Sequence, residues 1–326
     1  MFKKMLLLVI IIFLVIFAFF FLGFPKEKED LFFGVNFSPK HARDMGLDVK
    51  EIYLAILNDL KANNIKIAVH WDDIEIEDKE YDFRELDFMV EEAEKKEANI
   101  VLVLGMKTSR WPECHIPYFA KEIEKEKQQK KILEQIEKIV LRYKDKENIK
   151  AFQVENEPFF PFGDCPWTDE DFLKEEINLV RGLSNRPIII SETGEFSLWL
   201  KAAKLGDIVG VTMYRRVWFN KLKRHIDYPF PAVFYSRKAL LIKWIFNKEV
   251  IGVELQMEPW GSTLLYYSPL EEQEKSMNIE QFKKNIRFAK KVGFKENYLW
   301  GVEWWFWMKK EHNDSSFLNE AKKLWK

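Results

Sequence analysis

From Leu31 onward the sequence alternates between two periods, and that alternation constrains the fold more than any other feature. Short apolar runs read as strands: LFFGVNFS (Leu31–Ser38), IKIAVHW (Ile65–Trp71), NIVLVLGMK (Asn99–Lys107), the run ending in VENEP (Val154–Pro158), RPIIISETGE (Arg186–Glu195), DIVGVTMYR (Asp207–Arg215), EVIGVELQ (Glu249–Gln256) and NYLWGVEWWFW (Asn297–Trp307). Between them lie segments with apolar residues at helical spacing, such as Ile52, Ile56 and Leu60, or Phe83, Leu86 and Val90. A charged helix is expected over about Tyr118–Lys144, a helix with a Thr168…Asp171 cap follows, and one ending at Gly293 comes later. Eight strands alternating with helices predict a (β/α)8 TIM barrel. An open doubly wound sheet is the rival, but its Gly-rich first turn is missing: this turn reads NFSPKHARDMG. Val217–Lys248, rich in aromatic and basic residues, fits neither period cleanly and is expected to be an enlarged loop with helical pieces.

The N-terminus is a separate unit. Lys3 and Lys4 precede Met5–Phe24, which holds no charge. At about 1.5 Å per residue this stretch spans a hydrocarbon core of about 30 Å. No small-x-small cleavage site is visible, so residues 1–25 are expected to be an uncleaved transmembrane signal anchor, 26–30 a linker and 31–326 the barrel. The positive-inside rule places Lys3 and Lys4 in the cytoplasm and the barrel outside, or secreted if the segment is cleaved. A formal net charge of −1 argues against a nucleic-acid partner. The five histidines show no metal-binding spacing, and no cofactor motif is present.

Barrel enzymes carry their chemistry at the C-terminal strand ends. Those ends are loaded here: His70-Trp71-Asp72, Arg110-Trp111, Asn156-Glu157, Glu192, Tyr214-Arg215, then Glu254, Gln256 and Glu258, and Glu303, Trp304, Trp305 and Trp307. The opposite ends carry ordinary residues such as Asn64, Asn99 and Asp207. Paired carboxylates suit glycosidic bond cleavage, one as acid and one as nucleophile or base. Aromatic side chains suit the apolar faces of sugars.

VENEP on the fourth strand resembles the Asn-Glu-Pro signature of the clan A glycoside hydrolases, retaining (β/α)8 enzymes. HWDDIEIEDKEYDFRELD and VLGMKTSRWPE resemble the stretches after the second and third strands of that clan, over nearly all of 31–326. The resemblance implies a retaining hydrolase of β-linked sugars. Glu157 would be the acid/base, Glu254 the nucleophile with Glu258 as the alternative, and Asn156 a sugar ligand. Tyr214 would orient the nucleophile, and Trp305 or Trp304 would floor the sugar site. His70, Trp71, Arg110, Trp111 and Glu303 complete the expected substrate-binding set, with His70 equally readable as a core histidine and Arg110 as a structural partner of Glu113. Glu155 is expected to support by hydrogen bonding. The partners implied are a carbohydrate and, through the N-terminal helix, a membrane. A transglycosylase using the same residues, or a non-catalytic carbohydrate-binding barrel, stays open. Cys114 and Cys165 follow neighbouring strands: either they are unrelated thiols or, in an oxidising compartment, a disulfide stapling two loops at the mouth.

Overall fold

The computed structural model describes residues 2–325. Eight parallel strands close into one barrel: β1 (Phe32–Phe37), β2 (Asn64–Ala68), β3 (Asn99–Leu104), β4 (Ile149–Val154), β5 (Ile188–Thr193), β6 (Ile208–Met213), β7 (Glu249–Gln256) and β8 (Glu296–Trp300). Each strand pairs with its sequence neighbour, and β8 pairs with β1 to complete the ring. A closed ring leaves no strand edge exposed. Side chains alternate across each strand. One set packs against the outer helices in the main core, while Val101, Ala151, Ile189, Ile251, Val253 and Tyr298 form a separate inner cluster.

The helices that matter below are α1 (Phe2–Phe21), α2 (Pro39–Asp44), α3 (Val49–Ala55), α4 (Arg84–Lys95), α5 (Lys125–Tyr143), α6 (Glu170–Leu183), α7 (Leu200–Leu205), α8 (Ala232–Phe246), α9 (Ile279–Val292) and α10 (Val302–His312). Local chemistry sets their ends. Ser38 and Asp48 cap α2 and α3 by accepting from His41 and Glu51 amides. α9 stops at Gly293, whose φ of +75° few other residues adopt. α6 begins one residue later than the Thr168 cap expected: Asp169 accepts from the Asp171 and Phe172 amides, and a carboxylate there also suits the helix dipole.

Three expectations change. Tyr118–Ala120 is a separate 3-10 turn, and the long helix starts only at Lys125. Val217–Lys248 resolves into a hairpin (Arg216–Phe219 with Arg224–Asp227) and α8. Strand eight ends at Trp300 rather than Trp307, because Gly301 sits at φ +121° and the chain then turns helical. Glu303, Trp304 and Trp305 are therefore on α10.

α1 is long and apolar enough to cross a membrane, with a mean hydropathy of 3.1 over its most apolar window. Its residues up to Phe17 are exposed, and only its last turn touches the barrel, on α8.

Candidate active site

The ends of β3 and β4 are held in unusual backbone. Arg110, Glu113, Glu155 and Glu157 have φ of +93°, +74°, +57° and +44°, in the left-handed region that side chains disfavour. Such outliers persist where surrounding contacts over-determine them. Here those contacts are visible. Glu155 accepts from the Met106 and Lys107 amides at 2.8 and 2.6 Å, bolting the β4 end to the β3 end. The Lys107 ammonium donates to the Glu157 and Phe160 carbonyls. The Glu157 amide donates to Ser191 Oγ on β5. Cys114 and Cys165 are joined in a disulfide, with Cα atoms 5.2 Å apart, tying the loop after β3 to the loop after β4.

Glu157 and Glu254 converge on β6. The Thr212 hydroxyl donates to Glu157 Oε1 at 2.7 Å, and the Tyr214 hydroxyl donates to Glu254 Oε2 at 2.9 Å. Thr212 and Tyr214 are two residues apart, so they share one face of the chain. A bulge on β7 between Gly252 and Glu254 brings Glu254 opposite Thr212. On its other side Glu254 Oε1 meets the ammonium of Lys66 at 3.4 Å, an inward lysine of β2 only 1% exposed. Burial pulls that ammonium's pKa down, and Glu254 pulls it back up. The Glu157 carboxyl is pushed up to about 7, first by burial and then by the negative charge of Glu254, while the Thr212 hydrogen bond works against both.

A third acid belongs to this cluster. Glu113 accepts from the Asn156 side-chain amide at 3.2 Å, and burial together with the charges of Glu254 and Glu157 raises its pKa. It does not pair with Arg110, as the sequence suggested. Arg110 instead donates to Glu258 and, at 2.8 Å, to Glu303, with its guanidinium stacked 3.8 Å above the Trp300 ring. Glu303 also accepts from the Ser38 amide at 2.6 Å. Glu258 is thus engaged by Arg110, with His41 at 3.8 Å, while Glu254 faces the Glu157 cluster.

Several expected ligands have other work. Trp304 and Trp305 are at most 1% exposed: their indole N–H groups donate to Gln273 and to the Met257 carbonyl, and their rings pack on Phe317 and Phe282. They are core residues rather than a sugar floor, because α10 turns them beneath the site. Trp71 is fully buried and donates to Glu75. His70 is clasped between Ser38 Oγ and Thr108 Oγ1 and lies against His115, with its pKa lowered by burial. Trp111 is 53% exposed at the rim, where a run of rings (Trp111, Phe162, Trp260, Tyr214) leads from solvent to the Glu254 partner.

The residues overlooked in the sequence are Lys66, Thr212, Ser191 and Trp260. Lys66 carried a signal: a lone cation alternating with Ile65 and Ile67 in an otherwise apolar strand has to face inward or be neutralised.

Residues 26–174 match the family model described as Glycosyl hydrolase family 10. That match, together with the (β/α)8 barrel, supports a glycoside hydrolase of clan A. The family-10 match ends within α6, short of half the chain. No curated protein matches the sequence. Among solved structures, the barrel resembles a GH5_18 protein from Streptomyces cattleya in complex with GlcNAc (16% identity, 85% of this chain and 70% of that one, TM-score 0.57). It also resembles a GH10 endoxylanase from a sugarcane soil metagenome (16%, 84% and 86%, 0.56). A third likeness is the endo-β-1,4-mannanase from Thermotoga petrophila (12%, 84% and 68%, 0.54). At these identities the likeness speaks for the fold.

Proposed function

We propose that this glycoside hydrolase cleaves β-linked sugars with retention of configuration, Glu157 acting as acid/base and Glu254 as nucleophile. The observation that carries the reading is the convergence of the two carboxyls on Thr212 of β6 and on Tyr214 just after it. In the first step Glu254 attacks the anomeric carbon, the glycosidic C–O bond breaks, and the Glu157 proton goes to the departing oxygen. In the second, Glu157 takes a proton from water, the water oxygen bonds to the anomeric carbon, and the Glu254 ester is released. A Glu157 carboxyl raised to about 7 supplies the acid form at neutral pH, and the loss of the Glu254 charge in the ester favours its ionised, basic form.

Lys66 and Tyr214 contact Glu254 from two sides and aim its carboxyl. Asn156 is placed by Glu113 and Gln153 to meet the sugar beside the scissile bond. The ring run from Trp111 to Tyr214 suits stacking against further sugar units, and the xylanase and mannanase likenesses make β-1,4-linked polysaccharides the first substrates to try. The Cys114–Cys165 disulfide and the Lys3-Lys4 flank of α1 favour an anchored protein whose barrel faces an oxidising compartment outside the cytoplasm.

Proton NMR of xylan, mannan and aryl β-glycoside digests tests the assignment. The β-anomer should appear first, and Glu157→Gln and Glu254→Gln should each abolish turnover of the polysaccharide. Early α-anomer, or an active Glu254→Gln variant, would overturn it. Added acceptor sugar separates hydrolysis from transfer by the products formed.

A further inference from the structure

The outer helices of the barrel share one design, and α8 breaks it. The solvent sides of α4, α5, α6 and α9 carry charges, for example Glu91 and Glu94, Glu137 and Lys138, Lys174 and Glu175, Lys284 and Arg287. α8 contains no acidic residue, and at its C-terminal end it exposes Trp244 (66%) and Ile245 (62%) beside Lys243. These belong to a stripe: Phe234, Arg237, Leu241 and Trp244/Ile245 recur at three- to four-residue intervals along one side of the helix. The start of that stripe is covered by α1. Phe21 and Phe20 lie 5.3 and 6.0 Å from Phe234, ring to ring, and the Arg237 guanidinium sits 4.8 Å over Phe19. The pairing is antiparallel, Phe21 beside Phe234 and Phe19 beside Arg237. Beyond it α1 residues are exposed, and the α8 stripe runs on through half-buried Leu241 to exposed Trp244 and Ile245.

We infer that α8 is a second membrane contact: its Leu241–Trp244–Ile245 stripe rests in the headgroup region of the bilayer that α1 enters. The occupant follows from continuity, since the same stripe is packed on a helix built to cross a membrane. It also follows from composition. An indole ring favours the boundary between apolar and wet surroundings, and Arg237 and Lys243 can carry their charges up to lipid phosphates while their stems stay in apolar contact. A helix exposed to water alone gains nothing from Trp244 and Ile245 side by side. With two contacts instead of one, the barrel holds a fixed tilt to the membrane rather than swinging on its ten-residue connection (22–31) between α1 and β1.

This inference rests on α1 acting as an anchor, and the test separates the two. The full chain is reconstituted in phosphatidylcholine vesicles containing phosphatidylglycerol. Ile245→Cys supplies a single free thiol, because the two native cysteines are disulfide-bonded, and Lys138→Cys on α5 serves as the water-facing control. Each is labelled with a small fluorophore and quenched by aqueous iodide or by nitroxide-labelled lipid. The expected result is severalfold weaker iodide quenching at 245 than at 138, with strong lipid quenching at 245 only. Co-flotation with equal iodide access at both positions overturns the α8 contact and leaves the anchor standing. Failure to float with vesicles overturns both.

Discussion

Replacing Thr212 by valine deletes one hydrogen bond in the active site with little change of shape, and its effect can be worked out in sign and size. The Thr212 hydroxyl donates to Glu157 Oε1 at 2.7 Å, so it stabilises the ionised carboxylate. Glu157 stands at about 7 with that bond in place, raised by burial first and by Glu254 second. Without it the ionised form is less stable, so the pKa rises. A hydrogen bond to a charged group contributes about 1.5–3 kcal/mol, and about 1.4 kcal/mol corresponds to one pH unit, so the rise is roughly one to two units. The acid form then survives to higher pH. The assay is kcat/KM against pH on an aryl β-glycoside with a poor leaving group, which reports the free enzyme up to the first irreversible step. The alkaline limb should move from about 7 to between about 8 and 9, with little change on the acid side. A dinitrophenyl glycoside, which leaves without a proton, should show no such alkaline fall. A limb that stays in place or moves toward acid would refute the assignment of Glu157 as the acid held by Thr212.

Glu157→Ala should slow substrates with poor leaving groups by about 10²–10⁴-fold, and added azide should restore turnover of the dinitrophenyl glycoside by replacing base-activated water; equal loss on both substrates counts against the role. Arg110→Met leaves Glu258 and Glu303 buried without their cation, so urea unfolding should show a loss of about 3–5 kcal/mol. Unchanged stability would mean these pairs do not form. Opening the Cys114–Cys165 bridge, which spans 51 residues, should cost up to about 4 kcal/mol by loop-closure entropy. That loss should appear as a lower urea midpoint for the Cys114→Ser/Cys165→Ser variant, and an unchanged midpoint would contradict it.

The barrel was legible because its strands are covered on both faces and so read as continuous apolar runs, each ended by polar residues on the same side of the barrel. Strand seven, Glu249–Gln256, was read to the residue. Strand eight was not. NYLWGVEWWFW is apolar throughout, and a buried strand running into a buried helix leaves no change of composition to mark the join, only Gly301. That single boundary moved Trp304 and Trp305 from the cleft to the core. The cluster around Glu157 was half legible. Glu157 and Tyr214 follow their strands, where position singles them out, while Glu254, two residues before the end of β7, was preferred over Glu258 through the clan resemblance. Lys66 and Thr212 lie within strands, and their inward direction depends on pleat phase, which the β7 bulge and the barrel's closure fix only in three dimensions. Arg110 was read either as a sugar ligand or as a partner of Glu113, its neighbour in sequence; its actual partners Glu258 and Glu303 lie 148 and 193 residues away, beyond local reading.

The central claim is that Glu254, and not Glu258, carries the sugar. Incubation with a 2-deoxy-2-fluoro β-glycoside bearing an activated leaving group, followed by proteolysis and mass spectrometry, reads this directly. One fluoroglycosyl ester should form, on Glu254, and Glu254→Gln should abolish it while Glu258→Gln does not. A label on Glu258, or no label from a substrate the protein demonstrably turns over, would contradict it.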